Sequence, residues 1–157
     1  MAEQPFLPVF AGPWLAARDG DDTARSLYDR RYSRYRYADG RKPMLFVGPG
    51  EKLVLLTPCA RALFVWRKFI SGDAQPGVNC SVFRNEGAGL SSDLIRSAEG
   101  IAWQRWPGER LYTYINPRKI ASTNPGWCFM AAGWKRCGVT KWNKLRILEK
   151  TCTSPLH

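Results

Sequence analysis

Apolar and polar positions alternate with a period of two in the middle of the chain, which indicates a sheet. In residues 78–83, one face of a half-buried strand carries Val78, Cys80 and Val82, and the other carries Asn79, Ser81 and Phe83. Residues 52–57 and 62–69 are two short apolar runs on either side of a four-residue break, a pattern typical of a hairpin. Residues 110–115 alternate as a further strand. Two or three antiparallel strands are therefore expected before the strand at 78–83.

A long amphipathic helix is predicted over residues 92–106, because apolar residues there recur at helical spacing. Pro107-Gly108 ends it, and Ser91, Ser92 or Asp93 can cap its first turn. Its apolar face consists of Leu94, Ile95, Ala98, Ile101, Ala102 and Trp106.

Two further helices and two last strands complete the pattern. Residues 23–37 predict a helix capped by Asp21 or Asp22. Residues 126–132 predict a short helix that Asn124 caps, with Pro125 in its first position. Residues 134–137 and 145–148 supply the last strands. Runs of strands around a central βαβ crossover predict an α+β (mixed α/β) fold, a mostly antiparallel sheet flanked by helices.

The chain divides into an arm, a single domain and a tail. Residues 1–22 are rich in Pro and Gly and predict an extended arm, which Phe6, Phe10 and Trp14 can pin to the body. Residues 23–150 form the domain and residues 151–157 the tail. No apolar run reaches the roughly 18 residues of a membrane span, and the N-terminus lacks the pattern of a secretory leader. We therefore expect no membrane partner and a cytoplasmic location.

Residues 78–97 combine a strand, a glycine-bearing turn and the start of a helix. Gly87 and Gly89 let the backbone turn freely, and the N–H groups at the start of the helix favour a phosphate. One interpretation is a site for a pyrophosphate-bearing cofactor. The other is an ordinary turn between strand and helix, since glycine-rich turns are common.

The net charge of the chain favours the binding of polyanions such as nucleic acids. Lys and Arg number 24 against 13 Asp and Glu, a formal net charge of +11. The excess is concentrated in residues 25–42 and 135–150, which either form one binding surface or are simply solvated faces. Aromatic residues in the first of these clusters either stack on bases or pack on the sheet.

The cysteine and histidine content favours neither a disulfide framework nor a metal site. The five cysteines include no CxxC pair, and the single histidine is the last residue. Cys59, Cys80 and Cys128 lie in apolar stretches and are expected to be small buried residues. No metal site is therefore predicted.

Residues 84–89, RNEGAG, and residues 126–134, GWCFMAAGW, resemble the GNAT acyltransferase superfamily. In that superfamily an R/Q-x-x-G-x-G/A turn after the fourth strand holds the pyrophosphate of acetyl-coenzyme A. The resemblance covers most of residues 25–150. It implies a GNAT-like fold and acetyl-CoA as cofactor.

Within that superfamily the chain looks like the Mom-type DNA-modification proteins of phages and prophages. The likeness lies in Tyr32-Ser33, in Phe64-Val65-Trp66, and in SSDLI (91–95) and STNPGWCFMAAGW (122–134). It implies carbamoylmethylation of adenine N6 in double-stranded DNA, which protects the DNA from restriction. Adenine N6 is a weak nucleophile, so such an enzyme must flip the base out and position it closely.

The resemblance also implies site residues. The catalytic candidates are Tyr32, Arg84, Ser92, Asn116 and Trp127. The family pattern has Asp and Tyr at the positions of Asn116 and Trp127, so an acidic or phenolic role is not expected there. The cofactor-binding candidates are Arg84, Asn85, Glu86, Gly87, Ala88, Gly89, Ser91, Ser92 and Asn124. The nucleic-acid-binding candidates come from the basic clusters and loops of the chain and not from the resemblance: Arg30, Arg31, Arg34, Arg36, Arg41, Lys42, Arg118, Lys119, Lys141 and Lys144.

Several alternatives stay open at this point. Arg84 either binds a cofactor phosphate or carboxylate or pairs with Glu86. The protein is either a DNA-modifying enzyme, an N-acetyltransferase of a small amine or a protein, or a basic DNA-binding module without activity. The target sequence, the source of the amide nitrogen, any metal requirement of the reaction and the oligomeric state are not indicated by the sequence.

Overall fold

The computed structural model describes residues 12–17, 21–29, 50–69, 75–117, 126–141 and 144–152. Seven strands and three helices lie within these ranges. The strands are β1 (Leu15–Ala17), β2 (Glu51–Leu56), β3 (Ala62–Lys68), β4 (Val78–Asn85), β5 (Leu111–Ile115), β6 (Lys135–Val139) and β7 (Arg146–Lys150). The helices are α1 (Asp22–Asp29), α2 (Ser91–Arg105) and α3 (Trp127–Ala131).

All seven strands belong to one sheet in the order β1-β2-β3-β4-β5-β7-β6. Every neighbouring pair is antiparallel except β4 and β5, which are parallel and joined by α2. The predicted hairpin is confirmed, since Leu56 pairs with Leu63 across the turn between β2 and β3. The mixed α+β class, the mostly antiparallel sheet and the βαβ crossover are confirmed as well.

The core lies on both faces of the sheet. On one face, α2 and α3 cover apolar residues of β3, β4, β5 and β7, including Phe64, Trp66 and Leu148. On the other face, Ala24 and Leu27 of α1 pack on a smaller apolar cluster. Residues 62–66 of β3 are buried throughout, because β3 is central and covered on both sides.

A β-bulge interrupts the alternation predicted for residues 78–83. Trp66 pairs with Cys80 and Val65 pairs with Val82, so Ser81 is an extra residue in β4. The bulge turns Phe83 onto the same face as Cys80, where its ring lies 5.2 Å from that of Phe64. Placing Phe83 on the polar face with Asn79 was therefore wrong.

The bounds of α2 and α3 agree with the apolar pattern to within one residue, and α1 starts as predicted, whereas residues 30–37 of the predicted first helix lie outside the described residues. α3 begins at Trp127 with Gly126 as its capping residue and no side-chain cap, so the predicted cap by Asn124 was wrong. The amide of Ala24 donates to Asp21 Oδ2 at 3.0 Å, which confirms an aspartate cap on α1. At the start of α2 the capping residue is Leu90, and no side chain caps the helix. The predicted cap by Ser91, Ser92 or Asp93 was therefore wrong.

The chain before α1 is pinned to the body through Trp14. Its side chain is buried, and Nε1 donates to the carbonyl of Leu94 at 3.0 Å. β1 follows immediately and extends the sheet beside β2, with Leu15 opposite Leu56. Trp14 thus has the anchoring role expected of it, whereas Phe6 and Phe10 lie outside the described residues.

A buried carboxylate holds α2 against the end of α3 and against β7. Glu99 accepts hydrogen bonds from Trp134 Nε1 at 2.6 Å and from Lys150 Nζ at 2.8 Å. Lys150 also donates to the carbonyl of Ala132 at 2.7 Å. Because the Glu99 side chain is only 4% exposed, these two donors replace the water that the charge has lost.

Replacing Glu99 with Gln should lower the free energy of unfolding by about 2 kcal/mol, because it leaves the Lys150 ammonium without its counter-charge. The loss should be smaller than for a fully buried pair, since Lys150 is 26% exposed. Urea denaturation measures it. The matched control is Glu109→Gln, which breaks the more exposed pair with Lys68 and should cost less than about 1 kcal/mol. Equal losses in the two variants would contradict this role for Glu99.

Candidate cofactor-binding site

β4 and β5 separate after a short paired stretch. Their ladder joins residues 78–80 to residues 111–113, and the side chain of Thr113 donates to the carbonyl of Cys80 at 2.9 Å. Beyond that point β4 continues to Asn85 and β5 to Ile115, and the ladder does not continue. We call the space between residues 81–85 and residues 114–115 the strand gap.

The start of α3 lies at the same end of the sheet as the strand gap. Gly126 has φ 85°, and a Cβ built on it would lie 2.9 Å from Leu148 Cδ1 and 3.4 Å from Ile115 Cγ1. Only glycine suits that position, so α3 begins directly against the end of β5. Asn116 is half-buried there, and Trp127, the first residue of α3, is 61% exposed.

The side chain of Asn85 organises the glycine turn from within. Its Oδ1 accepts from the amides of Gly87 at 3.1 Å and Ala88 at 2.9 Å. Its Nδ2 donates to the carbonyl of Gly89 at 2.8 Å and to Ser91 Oγ at 2.9 Å. The amides of Gly87 and Ala88 are therefore engaged inside the turn, although the sequence suggested that they were free for a ligand.

The amides that remain available are those of residues 89–92, which we call the amide crest. Among the residues that the structure describes, none of these backbone N–H groups has an acceptor, whereas those of Asp93 and Leu94 bond to the carbonyl of Leu90. A Cβ built on Gly89 would meet nothing within 4 Å, so the crest is open. Unpaired amides at the N-terminus of a 15-residue helix present a positive potential that suits an anion.

Arg84 pairs with Glu86. Its Nε donates to Glu86 Oε2 at 2.9 Å, which is one of the two arrangements left open by the sequence. The terminal guanidinium nitrogens of Arg84 have no partner among the described residues, so they can still meet an anion. The sequence did not single out Arg61, whose NH1 would lie 3.9 Å from a Cβ on Gly87. It comes from the β2–β3 turn, and no sequence pattern links that turn to the glycines.

Two buried polar atoms lie on β4 where it leaves β5. Within the part of the chain that the structure describes, Asn79 Oδ1 and Ser81 Oγ have no hydrogen-bond partner. Both belong to the segment around the bulge, next to the last rung of the β4–β5 ladder. Buried groups of this kind lower stability unless a ligand or water bonds to them, and they are therefore candidates for ligand contact.

The cysteines differ in environment. Cys80 is buried and Cys128 half-buried, where desolvation raises the pKa of the Cys128 thiol. Cys59 is exposed, so its expected burial was wrong. A hydrogen bond with Thr57, 3.4 Å away, lowers the pKa of the Cys59 thiol. All five cysteines are free thiols, and the described residues contain no cluster of metal-binding side chains.

The structure brings some of the candidate residues together. Arg84, Asn85, Glu86, Gly87, Ala88, Gly89, Ser91 and Ser92 lie along the turn and crest. Ser92 is 8% exposed, and its hydroxyl has no partner among the described residues. Lys141 and Lys144 are exposed at the β6–β7 turn. The other candidates lie outside the described residues, namely Tyr32, Asn124, Arg30, Arg31, Arg34, Arg36, Arg41, Lys42, Arg118 and Lys119.

Comparison of the chain with protein-family models, with curated proteins and with solved structures gave no match. The GNAT and Mom-type resemblance thus rests on the residues quoted above. None of the described helices is long and apolar enough to cross a membrane.

Replacing Ser81 with Ala should raise the free energy of unfolding by about 1 kcal/mol, because it removes a buried hydroxyl that lacks a partner. Thermal or urea denaturation without ligand measures the change. The matched control is Thr113→Val, which removes a buried hydroxyl that does have a partner and should cost about 1 kcal/mol. If both variants lose stability equally, Ser81 Oγ is bonded within the fold and is no candidate for ligand contact.

Proposed function

We propose that this protein is a transferase that holds an acetyl-CoA-type donor in the strand gap and modifies N6 of adenine in double-stranded DNA. One observation carries the proposal. The only parallel pair among the described strands separates beside a helix N-terminus whose amides at residues 89–92 lack acceptors. A ligand binds open sheets at the carboxyl ends of such strands.

The strand gap suits the long, amide-bearing chain of acetyl-CoA. From Val82 onward, the edge of β4 that faces β5 lies outside the ladder that joins the two strands. The donor's arm carries amide groups, which can pair with a strand edge as an added strand does. An N–H at this edge can also stabilise negative charge on a thioester oxygen.

The amide crest suits the pyrophosphate. Backbone N–H groups and the dipole of α2 attract it, and the Arg84 and Arg61 guanidinium groups add positive charge beside the turn. Asn85 fixes the turn before any ligand arrives, so the donor does not have to order it. The residues present therefore fit the cofactor.

The choice of DNA as acceptor is supported by the net charge of +11 and by the resemblance to Mom-type proteins. Bound acetyl-CoA would supply an activated two-carbon group. The side chains would have to hold a flipped adenine close to it, and the exposed Trp127 ring lies at the right end of the sheet for stacking. A carbamoylmethyl product joins the methyl carbon to nitrogen, which distinguishes this reaction from acetyl transfer.

Replacing Leu90 with Pro should weaken acetyl-CoA binding about tenfold or more, the value of one hydrogen bond to a charged group. The substitution removes an amide that has no acceptor among the residues described, and the backbone of Leu90, φ −72° and ψ 125°, already suits proline. Isothermal titration of the purified protein with acetyl-CoA measures the affinity.

Leu90→Ala is the matched control, because it shortens the same 67%-exposed side chain and keeps the amide. It should bind acetyl-CoA as the unaltered protein does, and both variants should keep their melting temperature. Equal affinity in the Pro and Ala variants would remove the crest from the donor site. Absence of any acetyl-CoA binding to the unaltered protein would favour a DNA-binding module without activity.

DNA from cells that express the protein should contain an adenine nucleoside heavier than deoxyadenosine, and the Leu90→Pro variant should reduce its amount. Mass spectrometry of digested DNA detects it. Unmodified DNA at good expression would contradict DNA modification. Acetylation of an amine or a protein instead would support the proposed acetyl-CoA site and contradict the assignment of DNA as the acceptor.

A further inference from the structure

The hairpin of β6 and β7 carries more basic than acidic side chains. Residues 135–150 contain six basic residues and one acidic residue. Two of these seven side chains form ion pairs with other parts of the protein: Lys150 with Glu99, and Glu149 with Arg110. The Arg110 guanidinium, through its hydrogen bond, holds the pKa of Glu149 below its ordinary value, so Glu149 stays ionised and paired with Arg110.

Arg136, Lys144 and Arg146 have no ion-pair partner among the described residues. Arg136 pairs with Leu148 across the hairpin, and Arg146 lies two positions before Leu148, so both side chains project from the same face. Such diagonal neighbours lie about 7–8 Å apart. We call Arg136, Lys144 and Arg146 the hairpin surface.

Lys144 has the left-handed backbone conformation, with φ 53°. An Asn or Gly would adopt that conformation at lower cost, so the lysine is not the residue that the turn prefers. The amide of Leu145 bonds to Thr140 Oγ1 at 2.9 Å, and the amide of Thr140 bonds to the carbonyl of Leu145 at 2.8 Å. The turn is thus fixed by its neighbours and does not depend on the side chain of Lys144.

The hairpin surface lies at the end of the sheet where the strand gap opens. Arg146 pairs with Ile115, the last residue of β5, and Val139 pairs with Arg146. β6 is the outer strand of the sheet and all five of its residues are exposed. A partner on this surface would therefore reach the outermost of the described strands and the end of the sheet where the strand gap opens.

We propose that the hairpin surface binds the phosphate backbone of double-stranded DNA and holds the duplex over the strand gap. Unpaired cations on an exposed strand edge are complementary to a polyanion, and the major groove can admit a two-stranded ribbon. Val139, which pairs with Arg146, is the large apolar side chain that is exposed among the described residues of this hairpin. This inference deepens the proposed function, because it names the surface that brings the acceptor.

The test is a triple variant, Arg136→Gln, Lys144→Asn and Arg146→Gln, titrated with a short mixed-sequence duplex at several salt concentrations. Each lost phosphate contact should reduce the slope of log affinity against log salt by about 0.9. If all three residues bind phosphates, the slope of log affinity against log salt should therefore be about 2.7 smaller in magnitude for the triple variant than for the unaltered protein. Its melting temperature should not fall, because no described ion pair is broken and Asn suits the backbone at residue 144.

The matched control removes three charges at the opposite end of the sheet, Lys52→Gln, Lys68→Gln and Arg105→Gln. It lowers the net charge equally and should leave most of the salt slope in place. Equal slopes in the two triple variants would overturn the proposal, because net charge alone would then explain binding. So would a loss of binding to anionic phospholipid vesicles without a loss on the duplex.

The outcome separates this inference from the proposed reaction. If DNA is modified in cells and the hairpin variant binds duplex as the control does, the reaction stands and the docking surface is wrong. If the hairpin variant loses duplex binding while DNA is unmodified in cells, the surface stands and the reaction is wrong.

Discussion

The carboxylate of Glu99 is the interaction on which the arrangement of the candidate site depends. It lies inside the protein and is bonded by the indole of Trp134 and the ammonium of Lys150. Trp134 lies three residues after the end of α3, and Lys150 is the last residue of β7. One charged group on α2 therefore fixes the helix relative to both neighbours. The amide crest lies at the start of α2, and α3 begins at the end of β5. Glu99 therefore helps to fix the relative positions of the two helices that flank the strand gap.

The bulge at Ser81 gives the strand gap a local cause. An extra residue in one strand increases its twist and re-aims the side chains that follow. In β4 the bulge lies one residue after the last rung shared with β5, and Phe83 then packs beside Phe129 with ring centroids 5.9 Å apart. β4 beyond the bulge thus pairs with β3 and packs on α3, while its ladder with β5, the neighbouring described strand, has already ended.

Much of the fold could be predicted from the sequence because burial leaves a periodic trace. The apolar face of α2, the β2–β3 hairpin and the crossover from β4 to β5 all follow from that trace. The bulge leaves no such trace, because a single inserted Ser reads as another polar position. The pairing of Glu99 with Trp134 and Lys150 could not be predicted either, because it joins residues that are far apart in the chain. Of the candidate site, the glycine turn was foreseen, whereas the use of the Gly87 and Ala88 amides by Asn85 was not.

Two positively charged features at one end of the sheet have different physical characters. The amide crest uses fixed backbone dipoles in a turn held by Asn85, so it suits a compact anion in one orientation. The hairpin surface uses long, exposed side chains, which tolerate a repeating anion whose register varies. A transferase that acts on DNA needs both, because the donor must be placed closely while the duplex must be able to slide until a target base arrives. In the proposed reaction the amide crest would therefore hold the donor, and the hairpin surface would hold the duplex.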